Sequence, residues 1–249
     1  MRFQDRTAVV TGAGSGIGAA IARRFGAEGA WVACVDRNGS AATITAADIG
    51  ANALAMVADV SDESAVANLM ATVVSRRGGI DVVVNNAGIA GPQEPVASTP
   101  LEGWDATVAV NLTGTFLMCK HAMPHLVRRH GCIVNVASAL AFIGWPRECA
   151  YGPTKAGVVQ LTKAMALDYV PHVRVNCVCP GAVRTAMIES VLPPGDTEAL
   201  LAGYGKVHPL HGRLAHPDEI AWPVLFLASD DASLITGAAL VVDAGFSVG

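Results

Sequence analysis

A glycine-rich turn between a predicted strand and a predicted helix constrains the fold of this chain more than any other feature. Residues Thr7 to Gly18 begin with a β-branched apolar run and place glycines at Gly12, Gly16 and Gly18, before an alanine-rich helical pattern. Such glycines let the backbone approach a pyrophosphate, and the free N–H groups of the helix face that anion. The spacing is G-x-x-x-G-x-G, because Ile17 stands at the last glycine position of a G-x-G-x-x-G fingerprint. On its own, the turn also fits a plain strand-to-helix connection.

Asp36 is the second signal for a dinucleotide. It ends the apolar run Trp31 to Val35, eighteen residues after Gly18. A dinucleotide fold places there the carboxylate that accepts the adenosine ribose hydroxyls. The same carboxylate would repel the 2′-phosphate of NADP. Arg37 could clamp such a phosphate, but the glycine turn supplies no second cation, so the sequence predicts NAD as the cofactor.

Length, charge and hydropathy limit the possible partners. A chain of 249 residues can bury about three quarters of its unfolded surface, which fits one domain over residues 1–249. The formal net charge is −4 and the 17 Lys and Arg residues are scattered, so we expect no nucleic-acid partner. No apolar run approaches the roughly 18 residues of a membrane span, and the charged N-terminus leaves no room for a signal peptide. We therefore expect a cytoplasmic protein with a small-molecule partner and no membrane contact.

The cysteine and histidine positions favour structural roles. The six cysteines form no C-x-x-C pair, and most fall in apparent strands, where a free cysteine acts as a small buried hydrophobe. His121 and His125 lie four residues apart on a predicted helix, but no acidic residue on that helix face completes a ligand set. The sequence predicts no metal site.

Predicted strands and helices alternate along the chain, which indicates an α/β fold. We expect a doubly wound, Rossmann-type parallel sheet of seven strands with helices on both faces. Ligands of such sheets bind beyond the carboxyl ends of the strands. The residues expected at these ends are Gly12, Asp36, Asp59, Asn86, Ser138 and Pro180.

Two helix starts and one long connection carry further expectations. Ser61 is expected to cap the helix after the third strand, and Thr99 to cap a helix that continues to about Arg129. The middle of this second helix, Val108 to Cys119, is apolar almost all the way round and predicts contact with another subunit. Residues 184–213 are rich in proline and glycine and are expected to form a mobile lid over the site.

Tyr151 and Lys155 are the candidate acid/base pair. Because they lie four residues apart at the start of a helix, their side chains project from one face. A tyrosine with a pKa of about 10 is a poor base at neutral pH. A nearby ammonium favours the phenolate by about one to three pKa units, with help from a cationic nicotinamide.

With these motifs the chain resembles the classical short-chain dehydrogenase/reductase family over essentially its whole length. The resemblance implies that Tyr151 is the general acid/base and that Ser138 hydrogen-bonds the reacting oxygen. Lys155 would bind the nicotinamide ribose and lower the tyrosine pKa, and Asn111 would hold a water that leads protons to bulk solvent. The motifs that match are Thr11 to Gly18, Asn85-Asn86-Ala87-Gly88, Asn111, Ser138, Tyr151 with Lys155, Pro180-Gly181 and the closing Gly237 to Gly245 region.

The glycine turn and the resemblance together define the expected coenzyme contacts. The resemblance implies that Asp59 and Val60 lie near adenine, Asn86 on the ribose side, and Val183 and Thr185 near the carboxamide. It also implies a homotetramer. The full expected set is Gly12, Gly14, Ser15, Gly16, Ile17, Gly18, Asp36, Arg37, Asp59, Val60, Asn86, Ala87, Gly88, Tyr151, Lys155, Pro180, Gly181, Val183 and Thr185.

The substrate pocket is less well defined by the sequence. Pro153 and Ala244 depart from the family pattern, but neither touches the expected chemistry. Trp145 to Cys149, just before the tyrosine, fits either a wall of the substrate pocket or a surface loop. The other pocket candidates are mostly apolar, which favours a hydrophobic alcohol over a polyol or sugar. They are Leu140, Phe142, Met187, Ile188, Val191, Leu192 and Tyr204.

The first functional hypothesis is NAD(H)-dependent interconversion of a secondary alcohol and a ketone. The alternatives within the family are a polyol or sugar dehydrogenase and an NADPH-dependent 3-oxoacyl-thioester reductase, whose acyl carrier protein could dock at Arg128 to His130. A catalytically silent dinucleotide-binding protein would not need the intact serine, tyrosine, lysine and asparagine. A sugar-nucleotide epimerase or dehydratase usually carries a longer C-terminal substrate domain.

Overall fold

The computed structural model describes residues 1–248, and Gly249, the last residue of the expected domain, lies outside the described residues. All neighbouring strands in the sheet pair in parallel, in the order β3-β2-β1-β4-β5-β6-β7. The order reverses between β1 and β4, which confirms the predicted doubly wound sheet. The seven strands are β1 (Thr7–Thr11), β2 (Trp31–Asp36), β3 (Ala53–Val57), β4 (Val82–Asn85), β5 (Cys132–Val136), β6 (Arg174–Pro180) and β7 (Ala239–Val242).

Helices cover both faces of the sheet. Successive strand residues point to opposite faces, so Val10 of β1 packs in one core layer with Phe25 and Leu225, whereas Val9 packs in the other with Met118. The helices are α1 (Gly16–Ala27), α2 (Gly39–Ile49), α3 (Glu63–Arg77), α4 (Leu101–Val108), α5 (Gly114–Arg129), α6 (Tyr151–Asp168), α7 (Ala186–Ser190), α8 (Thr197–Gly205) and α9 (Pro217–Ala228).

The predicted cap of α3 is wrong by one residue. Asp62, rather than Ser61, is the N-cap, and its carboxylate accepts hydrogen bonds from the backbone N–H groups of Ser64 at 2.8 Å and Ala65 at 3.2 Å. Ser61 is engaged elsewhere, because its hydroxyl donates to the Asp59 carboxylate at 2.6 Å. A carboxylate at the N-cap also interacts favourably with the helix dipole, which accounts for the choice of aspartate.

The predicted cap of α4 is also wrong. Pro100 occupies the N-cap position, and the Thr99 hydroxyl donates instead to the carbonyls of Glu94 at 3.2 Å and Pro95 at 3.1 Å. The helix then runs to Arg129 as predicted, through α4, a π-helical turn at Ala109–Thr113 and α5. Thr99 thus closes the preceding loop rather than the helix.

The predicted lid contains regular structure. Residues 184–213 include α7 and α8, and the mobility of this segment stays a prediction.

Within residues 1–248, no helix combines the length and the apolar character that crossing a membrane requires. In the helix expected to meet another subunit, Leu117 and Met118 face the core, while Phe116 is 46% exposed.

Candidate active site

The glycine turn lies at the carboxyl end of β1 and packs against the residue that follows the neighbouring strand β4. The Asn86 amide donates to the carbonyl oxygens of Thr11 at 3.0 Å and Gly12 at 3.3 Å. Gly12 and Gly16 have φ angles of +64° and +51°, which disfavour a side chain. A Cβ on Gly18 would collide with the Gly12 carbonyl oxygen, so glycine is required there for the helix to pack against the turn.

The N-terminus of α1 faces a cleft beyond the strand ends. Ser15, Gly16 and Ile17 line this cleft, whose volume is about 420 Å³. The Ser15 side chain makes no capping hydrogen bond, so the N–H groups of the first turn of α1 are left for a ligand. This arrangement suits a phosphate.

Asp36, at the end of β2, ties the turn in place. One carboxylate oxygen accepts from the Gly14 N–H and the other from the Asn38 N–H, each at 2.9 Å. Asp36 also lines the cleft, together with Arg37, Asp59 and Val60 beside it. Each carboxylate oxygen keeps a lone pair that a ribose hydroxyl could use.

Two residues of the expected coenzyme set, Gly14 and Gly18, do not line the cleft. Gly14 gives its N–H to Asp36, and Gly18 packs against the Gly12 carbonyl. Their role in the structure is to shape the turn. The other expected residues line the cleft: Gly12, Ser15, Gly16, Ile17, Asp36, Arg37, Asp59, Val60, Asn86, Ala87, Gly88, Tyr151, Lys155, Pro180, Gly181, Val183 and Thr185.

Ser138, Tyr151 and Lys155 line the same cleft. Ser138 follows β5, Tyr151 is the first residue of α6, and Lys155 lies one turn later. The Lys155 Nζ donates to the Val136 carbonyl at 2.9 Å and lies 5.5 Å from the centre of the Tyr151 ring. The Ser138 Oγ accepts from the Leu140 N–H at 3.1 Å, which leaves its own proton to donate.

Burial controls the titration of the tyrosine and the lysine. It raises the pKa of Tyr151 to about 12, although the adjacent Ser138 hydroxyl partly lowers it. It also lowers the pKa of Lys155 to about 8, and this side chain is only 4% exposed. Desolvation disfavours both charged forms, and the lowering of the tyrosine pKa by Lys155 stays a prediction.

Asn111 lies behind the cleft and is fully buried in the π-helical turn. Its Oδ1 accepts from the Ile89 N–H at 2.8 Å, and its Nδ2 donates to the Ile89 carbonyl at 2.9 Å and to the Thr154 hydroxyl at 3.3 Å. Both ends of the amide are thus used to hold the chain after β4. Its role in proton transfer stays a prediction.

His208 is a site residue that the sequence does not indicate. It is 1% exposed, and its Nε2 accepts from the Ala182 N–H at 3.0 Å. Nδ1 therefore carries the proton and donates to the Arg213 carbonyl at 2.7 Å. Because Pro180, Gly181 and Ala182 line the cleft, His208 fastens the lid to the loop that follows β6.

The lid, the Trp145 to Cys149 segment and the C-terminal turn form the remaining end of the cleft. Five of the predicted pocket residues line it, whereas Phe142 and Leu192 do not. Trp145 and Glu148 line the cleft, so this segment is a pocket wall. Trp145 packs against Phe246 with ring centres 5.3 Å apart. Lining residues not predicted from the sequence include Ile89, Ala90, Gln93, Val207 and Phe246.

The histidines considered for a metal have other partners. His121 Nε2 and Lys120 Nζ lie 3.0 Å and 2.6 Å from the Glu63 carboxylate, which comes from α3 rather than from their own helix. His125 Nδ1 pairs with Arg128 at 2.7 Å. Among residues 1–248, no group of three or more His, Cys, Asp or Glu side chains could hold a metal ion.

Comparison with known proteins gives a consistent picture. The family model described as "Enoyl-(Acyl carrier protein) reductase" matches residues 12–247. The chain is 41% identical over 249 residues to cis-4-hydroxycyclohexanecarboxylate dehydrogenase of Sinomonas cyclohexanicum, covering 98% of both chains. It is 42% identical over 249 residues to meso-2,3-butanediol dehydrogenase of Serratia marcescens, covering 98% of this chain and 96% of that protein.

A solved structure extends the comparison to the fold. The crystal structure of 3-ketoacyl-(acyl-carrier-protein) reductase from Brucella melitensis, complexed with NADH, superposes with a TM-score of 0.92 at 36% sequence identity. The match covers 99% of this chain and 100% of that one. The arrangement of strands and helices described above is therefore shared over the full length of both chains.

Proposed function

Because this chain belongs to the short-chain dehydrogenase/reductase family and is an oxidoreductase that acts on CH–OH groups, we propose that its reaction interconverts a secondary alcohol and a ketone with NAD(H). One observation carries the proposal. Ser138, Tyr151 and Lys155 line the same cleft as the glycine turn and Asp36.

The coenzyme end of the cleft fits a dinucleotide. The first turn of α1 offers free N–H groups to a pyrophosphate, and the positive φ angles of Gly12 and Gly16 keep the approach open. The Asp36 carboxylate stands where ribose hydroxyls can donate to it. When bound, NAD supplies the acceptor for a hydride and, in its oxidised form, a positive charge near the phenol.

We assign the proton transfer to Tyr151. In alcohol oxidation the Tyr151 phenolate accepts the proton of the substrate hydroxyl, while the carbon that bears this hydroxyl gives up a hydride to the nicotinamide. In ketone reduction the carbonyl carbon receives the hydride and the phenol donates a proton to the carbonyl oxygen. Ser138 donates a hydrogen bond to that oxygen throughout. Since burial holds the pKa of Tyr151 at about 12, positive charge brought into the cleft is needed to make the phenolate accessible near neutral pH.

Charge at the adenosine end supports NAD over NADP. The Asp36 carboxylate would face a 2′-phosphate that carries close to two negative charges. Arg37 is the neighbouring cation, and it is exposed. Neither Ala13 nor Ser15 of the turn adds a second one.

The test is a panel assay of purified protein. Secondary alcohols, polyols and 3-hydroxyacyl thioesters should be supplied with NAD or NADP while absorbance at the nicotinamide band is followed. We expect reduction of NAD with at least one secondary alcohol, at a kcat/KM above that with NADP. No turnover with any alcohol, or a preference for NADP, would overturn the proposal.

A 3-oxoacyl carrier-protein reductase is the second candidate, because one similar structure is a 3-ketoacyl-(acyl-carrier-protein) reductase and the description of the family model also names an acyl carrier protein. The proposed docking cations are partly engaged: Arg128 contacts His125 at 2.7 Å, and Arg129 lies 4.0 Å from the Asp81 carboxylate. The thioester arm of the panel separates the two candidates. Activity confined to thioesters would favour the second.

We further propose a cytoplasmic homotetramer. The exposed aromatic residues Phe116 and Trp104 lie on the long helix through α4 and α5. A two-fold interface along this helix would bury apolar surface that one subunit leaves exposed. Light scattering at micromolar concentration tests the oligomeric state, and a monomer would contradict it.

A further inference from the structure

Two polar side chains stand in the apolar substrate end of the cleft. Gln93 comes from the loop after β4, and Glu148 from the segment before α6. The surrounding wall is largely apolar and includes Leu140, Ile188 and Phe246. A carboxyl group and an amide in such a wall require a specific reason, because burying polar groups without partners costs free energy.

The two loops that carry these side chains are fastened together. Glu94 and Glu148 form a parallel β-bridge. Cys149 adds a second contact, since its Sγ lies 3.0 Å from the Thr99 hydroxyl and donates to the Glu94 carbonyl at 3.5 Å. Gln93 and Glu148 are therefore positioned by neighbouring backbone contacts and are set before any ligand arrives.

Glu148 lies on the same side of the chain as the catalytic tyrosine. The Gly152 N–H donates to the Glu148 carbonyl at 3.0 Å, so a helical turn already spans these residues. Side chains three apart on such a turn are neighbours, about 5–6 Å between Cβ atoms. Both side chains line the cleft, and the Glu148 carboxyl group is near enough to raise the pKa of Tyr151, so a group bound by Glu148 would lie in the same part of the cleft as the phenol.

The Gln93 amide and the Glu148 carboxyl group are close enough to interact, because the amide lowers the pKa of the carboxyl group. The Gln93 Nε2 is buried and makes no hydrogen bond within residues 1–248. Burial raises the pKa of Glu148, and the nearby Gln93 amide offsets only part of that effect. An amide has two N–H donors and a carboxylate two acceptor oxygens, so contact between the two groups still leaves a donor and an acceptor side by side for a ligand.

We propose that Gln93 and Glu148 bind a second hydroxyl group of the substrate, on the carbon adjacent to the one that reacts. A hydroxyl can accept from the Gln93 amide and donate to the Glu148 carboxyl group at once. An ammonium would leave the Gln93 donor unpaired, and a carboxylate would be repelled by Glu148. The substrate class is then a vicinal diol, oxidised to a hydroxyketone. This inference rests on the proposed function.

The experiment compares two alcohols with the same carbon skeleton, butane-2,3-diol and butan-2-ol, with NAD as acceptor. We expect the wild type to show a kcat/KM at least about tenfold higher for the diol, as one or two hydrogen bonds provide. Glu148→Leu should reduce this ratio at least about tenfold, mainly through the KM for the diol, and Gln93→Leu should reduce it several-fold.

Two further variants make the result decisive. Glu148→Gln keeps the shape of the side chain and one acceptor oxygen, so this variant should retain more of the preference for the diol than Glu148→Leu. Glu94→Gln changes an exposed neighbouring carboxylate outside the cleft and should leave the ratio unchanged. Equal kcat/KM for both alcohols in the wild type, or equal losses on both in the Glu148 variants, would overturn the inference. Absence of NADH formation with either alcohol would instead count against the proposed function.

Discussion

The coenzyme end of the cleft is made of strand ends, whereas the substrate end is made of loops that hold one another. At the coenzyme end, Asp36 binds the Gly14 N–H and Asn86 binds the Thr11 carbonyl, so each contact joins the ends of neighbouring strands. At the substrate end, the contacts join loops rather than the ends of neighbouring strands. Trp145 meets Phe246 across 101 positions (246 − 145).

This difference has a consequence for function. Strand ends are fixed by the register of the sheet, so the coenzyme end changes little when a loop changes. Loop contacts can be altered one at a time. The two ends should therefore control coenzyme choice and alcohol choice separately, and they should share only the residues where they meet, Tyr151, Lys155 and Ser138.

Removal of the phenol at the meeting point should have the largest effect. Because we assign the transfer of the alcohol proton to Tyr151, Tyr151→Phe should lower kcat at least about a hundredfold. NADH binding, followed by fluorescence, should remain. Tyr169→Phe makes the same change at the other end of α6 and should keep its rate. A Tyr151→Phe rate within a few-fold of wild type would refute the assignment.

The residues at the coenzyme end of the cleft could be predicted from the sequence better than those at the substrate end. Gly12, Asp36, Asn86 and Ser138 could be placed from the sequence because each directly follows a buried apolar run, and parallel strands bring such positions to one edge. Gln93 and Phe246 could not, because nothing local marks the loop contacts that turn them inward.

The errors also have local causes. Ser61 and Thr99 are good cap residues, but their hydroxyls bind Asp59 and the Glu94 carbonyl instead. Which of two adjacent residues becomes the N-cap depends on the path of the preceding loop into the helix. That path is set by tertiary contacts and cannot be read from the local sequence. His208 falls in the segment expected as a lid, where no periodic pattern marks it as buried.

Lys155 should give the second largest effect, on stability. Burial lowers the pKa of its ammonium to about 8, whereas the unfolded chain titrates at about 10.4. Between these values the unfolded state binds a proton that the folded state has released, so the free energy of unfolding rises with pH, by about 2 kcal/mol. Denaturant unfolding of the coenzyme-free protein between about pH 8 and 10 should show this rise relative to Lys155→Met. Parallel curves for the two proteins would contradict it.

Asp36→Ala should change only the coenzyme end. Loss of the ribose acceptor and of the repulsion toward a 2′-phosphate should shift the NAD to NADP ratio of kcat/KM by about tenfold toward NADP. The order of preference among alcohols should stay as in the wild type. Asp48→Ala, which removes an exposed carboxylate paired with Arg23, is the control. No relative gain for NADP would show that Asp36 does not select the coenzyme.

His208→Ala should have a smaller effect, at the lid. It leaves the partly buried Ala182 N–H without its acceptor, which costs at most about 1–3 kcal/mol, and it frees the lid from the loop after β6. We expect a lower Tm and a several-fold higher KM for the alcohol, with the NAD to NADP ratio unchanged. His211→Ala, an exposed neighbour, should match the wild type. A changed coenzyme ratio in His208→Ala would break the separation of the two ends.

Independence of the two ends is tested most directly by the double variant Asp36→Ala, Glu148→Leu. Asp36 ends β2, whereas Glu148 lies in the segment between β5 and α6, and strands β1 and β4 separate β2 from β5 in the sheet. Changes this far apart with no shared partner should add in free energy. The coenzyme ratio and the diol to mono-alcohol ratio of the double variant should each equal those of the matching single variant within about twofold. A departure above about fivefold in either ratio would show that the ends are coupled and would contradict this account.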